Sequence, residues 1–330
     1  MIKVLTGSFK KPDLKVFANI CLKINFKLGG RNHTLRDGLG LRQDTLVVGA
    51  DVTHPGRCPD PGCPSLAGLV ACDASHSSDY LASARLQDPN TEYIGEVGQM
   101  MVEQLKNYSA KHGRLPANIL FYRDGVGESQ YGMVKREELP RIIKACEDMR
   151  DEKTKMKLAR PKITIVVVEK RHHARFFPTK REAQGNNLDP NLPPGTCVDT
   201  DVVAPNRFEF YLQSHDSPRG TAKNGHYVVI TNESDCTMEA CGHQTHNLCF
   251  TGSRATTALS TCTPVRYADI LCTRLRCYMR PVLRGEMTDK LKNDEVTTYR
   301  SLKIIWGSEK VNKIMGNPWK KELNDTMFYL

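Results

Sequence analysis

The sequence predicts an α/β protein built on a mixed β-sheet with helices on its faces. Three observations carry that expectation. Apolar runs of strand length recur along the chain, the first three separated only by short loops and the later ones alternating with segments of helical periodicity. Two of these runs end on an aspartate that leads into a turn, Asp51 in TLVVGADVTHPG and Asp124 in NILFYRDGVGESQ. At 330 residues and 39% hydrophobic, the chain can bury one large core or two smaller ones.

Residues 13–28 place Val16, Phe17, Ile20 and Ile24 at helical spacing and stop at Gly29-Gly30, which predicts an amphipathic helix with a glycine stop. The polar stretch RNHTLRDGLGLRQD then sets this helix apart. Residues 1–40 therefore read as the tail of another domain, and 41–330 as the main one. Strands follow at 44–51, 65–72 and 79–87, and their short connections favour antiparallel neighbours. A helix over 92–112, with Ile94, Val97, Met101, Leu105 and Tyr108 on one face, leads to a strand at 117–123. Such a crossover should return that strand parallel to the first. A helix at 133–149, a strand at 162–169, a Pro/Asn/Gly-rich excursion at 184–206, strands at 207–213 and 226–231, and helices at 237–250 and 264–280 complete the pattern. If the first and fourth strands are adjacent, Asp51 and Asp124 converge.

A carboxylate at the mouth of a buried strand is costly to desolvate unless a cation or hydrogen bonds neutralise it. Alone, each aspartate reads equally well as a turn former or a helix cap. As a pair they suggest a shared Mg²⁺, an ion held by one or two carboxylates together with substrate phosphates. The formal charge of +10 points to a polyanionic partner, nucleic acid before membrane. No run of 18 apolar residues occurs, and MIKVLTGSFKKPDLK lacks a secretory h-region and cleavage site. Twelve scattered cysteines suit reduced thiols, so the expected location is the cytoplasm or the nucleus. The cluster Cys236, Cys241, His243, His246 and Cys249 has zinc-ligand chemistry. It has no C-x₂-C pair, however, and a helix over 237–250 would spread these side chains around its circumference. Cys58 and Cys63, in RCPDPGCPS, are similarly ambiguous.

The signatures VVGADVTHP, FYRDGV, EKRHHARFF, GTCVDT, FEFYLQSH and RYADILCTRLR, in that order, resemble the PIWI domain of eukaryotic Argonaute proteins over residues 40–330. ICLKINFKLGG resembles the end of that family's Mid domain. The resemblance implies a ribonuclease H-like fold and, as in cleaving members, a cut in RNA paired to a bound guide strand, using two Mg²⁺ ions with Mn²⁺ as a substitute. It implies Asp51 and Asp124 as the first two catalytic carboxylates, Glu92 in ARLQDPNTEYIGEV as the third acidic element, and Asp269 in RYADILC as the fourth. Asp51, Asp124 and Asp269 would be the metal ligands. Glu92 also reads as a helix-start glutamate, and Glu96 is the candidate if the register is off by one turn. Many relatives carry histidine at the fourth position; with Asp269 there instead, the expected site is all-carboxylate.

The resemblance further implies that Lys23 and Lys27, one turn apart on the first helix, hold the guide's 5′ phosphate, and that Arg274 reaches the same end. Arg276 is a weaker candidate. Lys170, Arg171, His215 and Arg254 match residues that follow the guide backbone, contacts that position the strand without reading its sequence. LNDTMFYL resembles the family's C-terminus, which makes Leu330 an expected natural end with its carboxylate near the same interface. The N-terminus reads as truncated relative to the family, which carries further domains before this point. The partners implied are a small guide RNA and a complementary target RNA. In some members Gly-Trp silencing proteins dock on this domain, and no motif here singles out their pocket. The competing expectation is a guide-binding silencing module that acts through partners without cutting.

Overall fold

The computed structural model describes residues 14–56, 63–76, 78–150, 155–179, 191–217, 220–283, 317, 319 and 321–330. Cys58 and the first 13 residues lie outside that set. One mixed sheet of eight strands organises the described chain, in the order β3-β2-β1-β4-β5-β8-β7-β6. The strands are β1 (Thr45–Thr53), β2 (Ser65–Asp73), β3 (Leu81–Gln87), β4 (Asn118–Asp124), β5 (Lys162–Glu169), β6 (Thr196–Val198), β7 (Glu209–Gln213) and β8 (Gly225–Asn232). The first three form an antiparallel meander. After the helical crossover, β4 returns parallel to β1, and β5 adds parallel to β4. The expected adjacency of the first and fourth strands is therefore present. Strand β6 falls inside the stretch expected to be an excursion. Its residues TCV are too few for a periodic signal, and it forms by pairing with β7.

Period-two alternation sorts the sheet's side chains between two cores. One face buries Val47, Leu66, Val70, Leu120, Tyr122, Val166 and Val168 against helices α5 (Met238–Leu248) and α6 (Thr263–Leu283). The other buries Leu46, Val48, Ala50, Ile119, Phe121, Ile163 and Ile165 against α2 (Val97–His112) and α4 (Leu139–Glu147). Strands β1, β4 and β5 are buried on both faces, as central parallel strands must be.

The expected helix at 133–149 is continuous in outline but composite: α3 (Tyr131–Met133), a π turn over Val134–Glu138, then α4 with Pro140 in its first turn. Proline lacks the N–H for the ladder, and its ring crowds the carbonyl one turn earlier; the wider turn relieves that conflict. Helix α2 begins at Val97 instead of residue 92, and residues up to Glu96 are left as a loop. It ends as its sequence directs, with Gly113 left-handed at φ +68° and its N–H on the Ser109 carbonyl at 2.7 Å. The first helix, α1 (Leu14–Lys27), covers half of its expected apolar face: Phe17 and Ile20 are half-buried, whereas Val16 and Ile24 are exposed; Phe26 packs on the core.

Candidate active site

Alternation decides where the acidic residues point. Asp51 shares the face of Val47, and Asp124 that of Leu120 and Tyr122, so both project toward the layer that contains α6. Parallel pairing in the register Ala50↔Arg123 brings them side by side, one strand apart. Asp269 arrives on α6, which packs across β1 through Val265, Ala268 and Leu271. Strand β1 runs two residues past the expected end, so Asp51 lies within it, opposite Gly68 of β2.

The three carboxylates act on one another electrostatically. Burial first, then the charges of Asp124 and Asp269, push Asp51 up to about 7, against the opposing pull of Arg123. Asp124 is also raised, mainly by burial; the Gly125 N–H donating at 2.8 Å, together with Lys170 and Arg123, opposes this. A set of hard oxygen donors whose mutual repulsion lifts their pKa values fits a divalent cation such as Mg²⁺ or Mn²⁺. Among the described residues, no three His, Cys, Asp or Glu side chains gather closely enough to enclose an ion. Asp269 is partly exposed on the helix and pairs with Arg266 at 2.5 Å.

Glu92 sits in the loop before α2, and so is not a helix-start glutamate. His54 Nε2 meets its Oε2 at 2.6 Å, and Arg123 Nη2 donates to its Oε1 at 3.2 Å and to its main-chain carbonyl at 2.6 Å. This loop passes over the strand ends, where Gly125 has φ +87°. A Cβ on Gly125 would lie 3.2 Å from Asp51 Oδ1 and 3.5 Å from Glu92 Oε1, so the Asp51 and Glu92 carboxylates border the same small space. Glu96, the alternative, is engaged elsewhere, with Arg85 at 3.1 Å.

Three partners were not singled out from the sequence. Arg123 alternates away from Asp124 into the second core, fully buried, and pairs with the equally buried Glu138 at 3.1 Å. An arginine inside an apolar strand was the available signal, since a buried guanidinium demands a carboxylate. His54, three residues after Asp51, is tied by Nδ1 to Ser65 Oγ at 2.9 Å, which orients its other nitrogen toward Glu92. Arg266 had no sequence signal beyond its i, i+3 spacing to Asp269.

The basic residues divide into two groups. Lys23, Lys27, Arg254 and Arg274 are mutual electrostatic neighbours: Lys27 is lowered by burial and then by Arg274, Lys23 and Arg254. Arg254 is lowered by burial, with Arg266 and Arg274 adding to it. Beside them opens a cleft of about 510 Å³, bordered by Lys27, Gly30, Asn32, Ser253 and Phe328. Arg274 Nε donates to the Tyr329 carbonyl at 3.4 Å, and Leu330 is fully buried. Lys170 and His215 are electrostatic neighbours of each other. Burial and then Arg266 lower Lys170, against Asp124 and Asp269, and burial lowers His215, with Lys170 adding to the effect. Arg171 is exposed. The unassigned His172 is structural: Nε2 meets the Asn224 carbonyl at 2.8 Å and its ring packs on Tyr211. In the cysteine and histidine cluster, α5 turns His246 onto Phe250 and buries Cys249, while Cys236 and Cys241 stay together.

Comparison with known proteins is consistent with this arrangement. The chain matches the Piwi domain family over residues 2–280. It is 36% identical to "Protein argonaute 1C" of rice over 82% of this chain and 28% of that protein. It is 36% identical to "Protein argonaute-2" of Drosophila melanogaster over 82% of this chain and 22% of that one. The chain thus spans under a third of the length of these relatives. Among solved structures, the C-terminal lobe of a budding yeast Argonaute superposes with a TM-score of 0.81 at 28% identity, covering 99% of this chain and 63% of that one. Kluyveromyces polysporus Argonaute with a guide RNA gives the same score and identity, covering 99% of this chain and 36% of that one. The ribonuclease H-like sheet expected from the sequence is the fold these structures share.

Proposed function

Because the chain belongs to the Piwi domain family, we propose that it is the cutting portion of a guide-directed endoribonuclease, which hydrolyses a phosphodiester of RNA paired to a small guide RNA. The observation that carries this reading is the convergence of Asp51 and Asp124 from adjacent parallel strands onto the face where Asp269 arrives. Asp51, Asp124 and Asp269 would hold two Mg²⁺ ions, or Mn²⁺ in their place. Such ions lower the pKa of an attacking water and neutralise the departing oxygen. Glu92, fixed by His54 and Arg123, presents a carboxylate beside Asp51 that can orient waters at the site. Lys23, Lys27, Arg254 and Arg274 form a cationic group suited to the guide's 5′ phosphate. Lys170, Arg171 and His215 would follow its backbone. A protein of this kind would act in the cytoplasm or the nucleus.

A second reading is favoured by one observation: the Asp269 carboxylate is paired with Arg266. In that reading the domain binds guide and target and represses through partners, Gly-Trp silencing proteins among them, without cutting. The two separate in one experiment on the full-length parent, supplied with guide RNA, Mg²⁺ and a complementary target. A single EDTA-sensitive cut, lost in Asp51→Ala, is the expected result. Guide and target binding with no cut in the wild-type protein would establish the non-cutting reading instead.

A further inference from the structure

Helix α5 opens with a hydrogen-bonded cap. Thr237 is its N-cap, extended at ψ 160°, and its Oγ1 accepts from the Ala240 N–H at 3.2 Å. In such a start, the residue before the cap and the fourth residue of the helix face each other, and apolar side chains usually pack there as a staple. Here those two positions are Cys236 and Cys241. Asn232 fixes the first of them, its Nδ2 donating to the Cys236 carbonyl at 2.9 Å and its Oδ1 accepting the Cys236 N–H at 3.1 Å. The Cys241 N–H donates to the Thr237 carbonyl at 2.9 Å, and Cys236 packs against the core cluster that contains Cys241.

We propose that Cys236 and Cys241 form a redox-active dithiol that peroxide converts to a disulfide closing the first turn of α5. The two sulfurs differ in the way a nucleophile and a resolving thiol differ. Cys236 is partly exposed and lines a cleft of about 470 Å³, whereas Cys241 is buried behind it. The neighbouring Cys241 thiol lowers the pKa of Cys236, whereas Cys236 and burial raise that of Cys241. The Cys236 sulfur attacks one peroxide oxygen, the O–O bond breaks, and hydroxide leaves as water, giving a sulfenic acid. The Cys241 sulfur then attacks the Cys236 sulfur, the S–O bond breaks, and the Cys241 proton leaves with the oxygen as a second water. Two thiols are oxidised by two electrons and one peroxide is reduced to two waters.

Oxidation also has a structural consequence. Cys236 Sγ donates to Gln244 Oε1 at 3.6 Å, and Gln244 Nε2 donates to the Gly40 carbonyl at 3.1 Å. The disulfide removes the first of these donors, and so loosens a tie between α5 and the segment that joins α1 to the sheet.

The test is to treat the chain with a small excess of hydrogen peroxide, alkylate the remaining thiols, and cleave after Glu239 and Arg254. Cleavage at Glu239 separates the two cysteines, so the fragments stay joined only through sulfur. The expected result is a joined pair two hydrogens lighter, with Cys249 still alkylated, reversed by dithiothreitol. It should form several-fold faster than oxidation at the exposed Cys21 or Cys277. In Cys241→Ser, Cys236 should stop at a sulfenic acid trapped by dimedone. Oxidation of Cys21 and Cys277 with Cys236 untouched would overturn the proposal, as would Cys236 oxidised in the wild-type chain while Cys241 remains alkylated.

Discussion

Burial in a strand and two neighbouring acids both disfavour the charged form of Asp51, against the pull of Arg123. The sign of its effect on stability follows. The unfolded chain ionises it near 3.8 and the folded chain near 7. Its contribution to stability is therefore fully present below pH 3.8 and is lost as pH rises to about 7. In metal-free protein, Asp51→Asn is expected to raise stability at pH 8 by about 2–4 kcal/mol, a gain that disappears toward pH 4. Thermal melts in EDTA at both pH values check this, and a loss at pH 8 would show that another cation already compensates the carboxylate. In melts without chelator, added Mg²⁺ should raise the melting temperature of the wild-type chain and leave that of Asp51→Asn nearly unchanged. Gly125 is the neighbouring residue with the least freedom. Gly125→Ala places a Cβ at a left-handed φ and against Asp51 Oδ1, with an expected cost of about 1–2 kcal/mol and slower cleavage by the full-length parent.

At the scale of elements, two close approaches hold the site in register. Helix α6 crosses β1 where a Cβ on Gly49 would come within 2.2 Å of the Pro264 main chain. Gly49→Ala must push α6, and with it Asp269, off the sheet, so it is expected to cost at least about 2 kcal/mol by denaturant unfolding. The π turn before α4 is the second device. It ends at Glu138, whose carboxylate takes Arg123 and accepts the Ile94 N–H at 2.9 Å, bracing the loop that carries Glu92. Arg123→Ala strands Glu138 in the core and should cost about 3–5 kcal/mol. Adding Glu138→Leu should recover much of that stability, and circular dichroism melts of the single and double variants measure both steps.

At the scale of the whole molecule, a net charge of +10 favours a polyanionic ligand, and the structure concentrates part of it. Lys23, Lys27, Arg254 and Arg274 meet across α1, the loop after α5, and α6, beside the buried C-terminal residue. Guide binding by the full-length parent should therefore weaken steeply with salt. Lys27→Ala should weaken it uniformly across guide sequences and lower the slope of log affinity against log salt by about one. A fluorescence titration at several salt concentrations reads both quantities.

Local physics made much of this legible in advance. Strand runs bounded by turns, the Gly113 stop of α2 and the crossover rule that returns β4 beside β1 are properties of short segments, so Asp51 and Asp124 could be placed on neighbouring strands from the sequence. What stayed hidden depends on contacts between distant segments. The loop start of α2, which frees Glu92 to meet His54 and Arg123, the short strand β6, the π turn and the hold of Arg266 on Asp269 have no signal in one segment alone. Seven of the eight strands, most helices and the two central carboxylates could be read from the chain, because burial periodicity and turn chemistry are written locally. Which charges pair emerged only on folding, because an ion pair's partner is chosen by the packing that removes both groups from water.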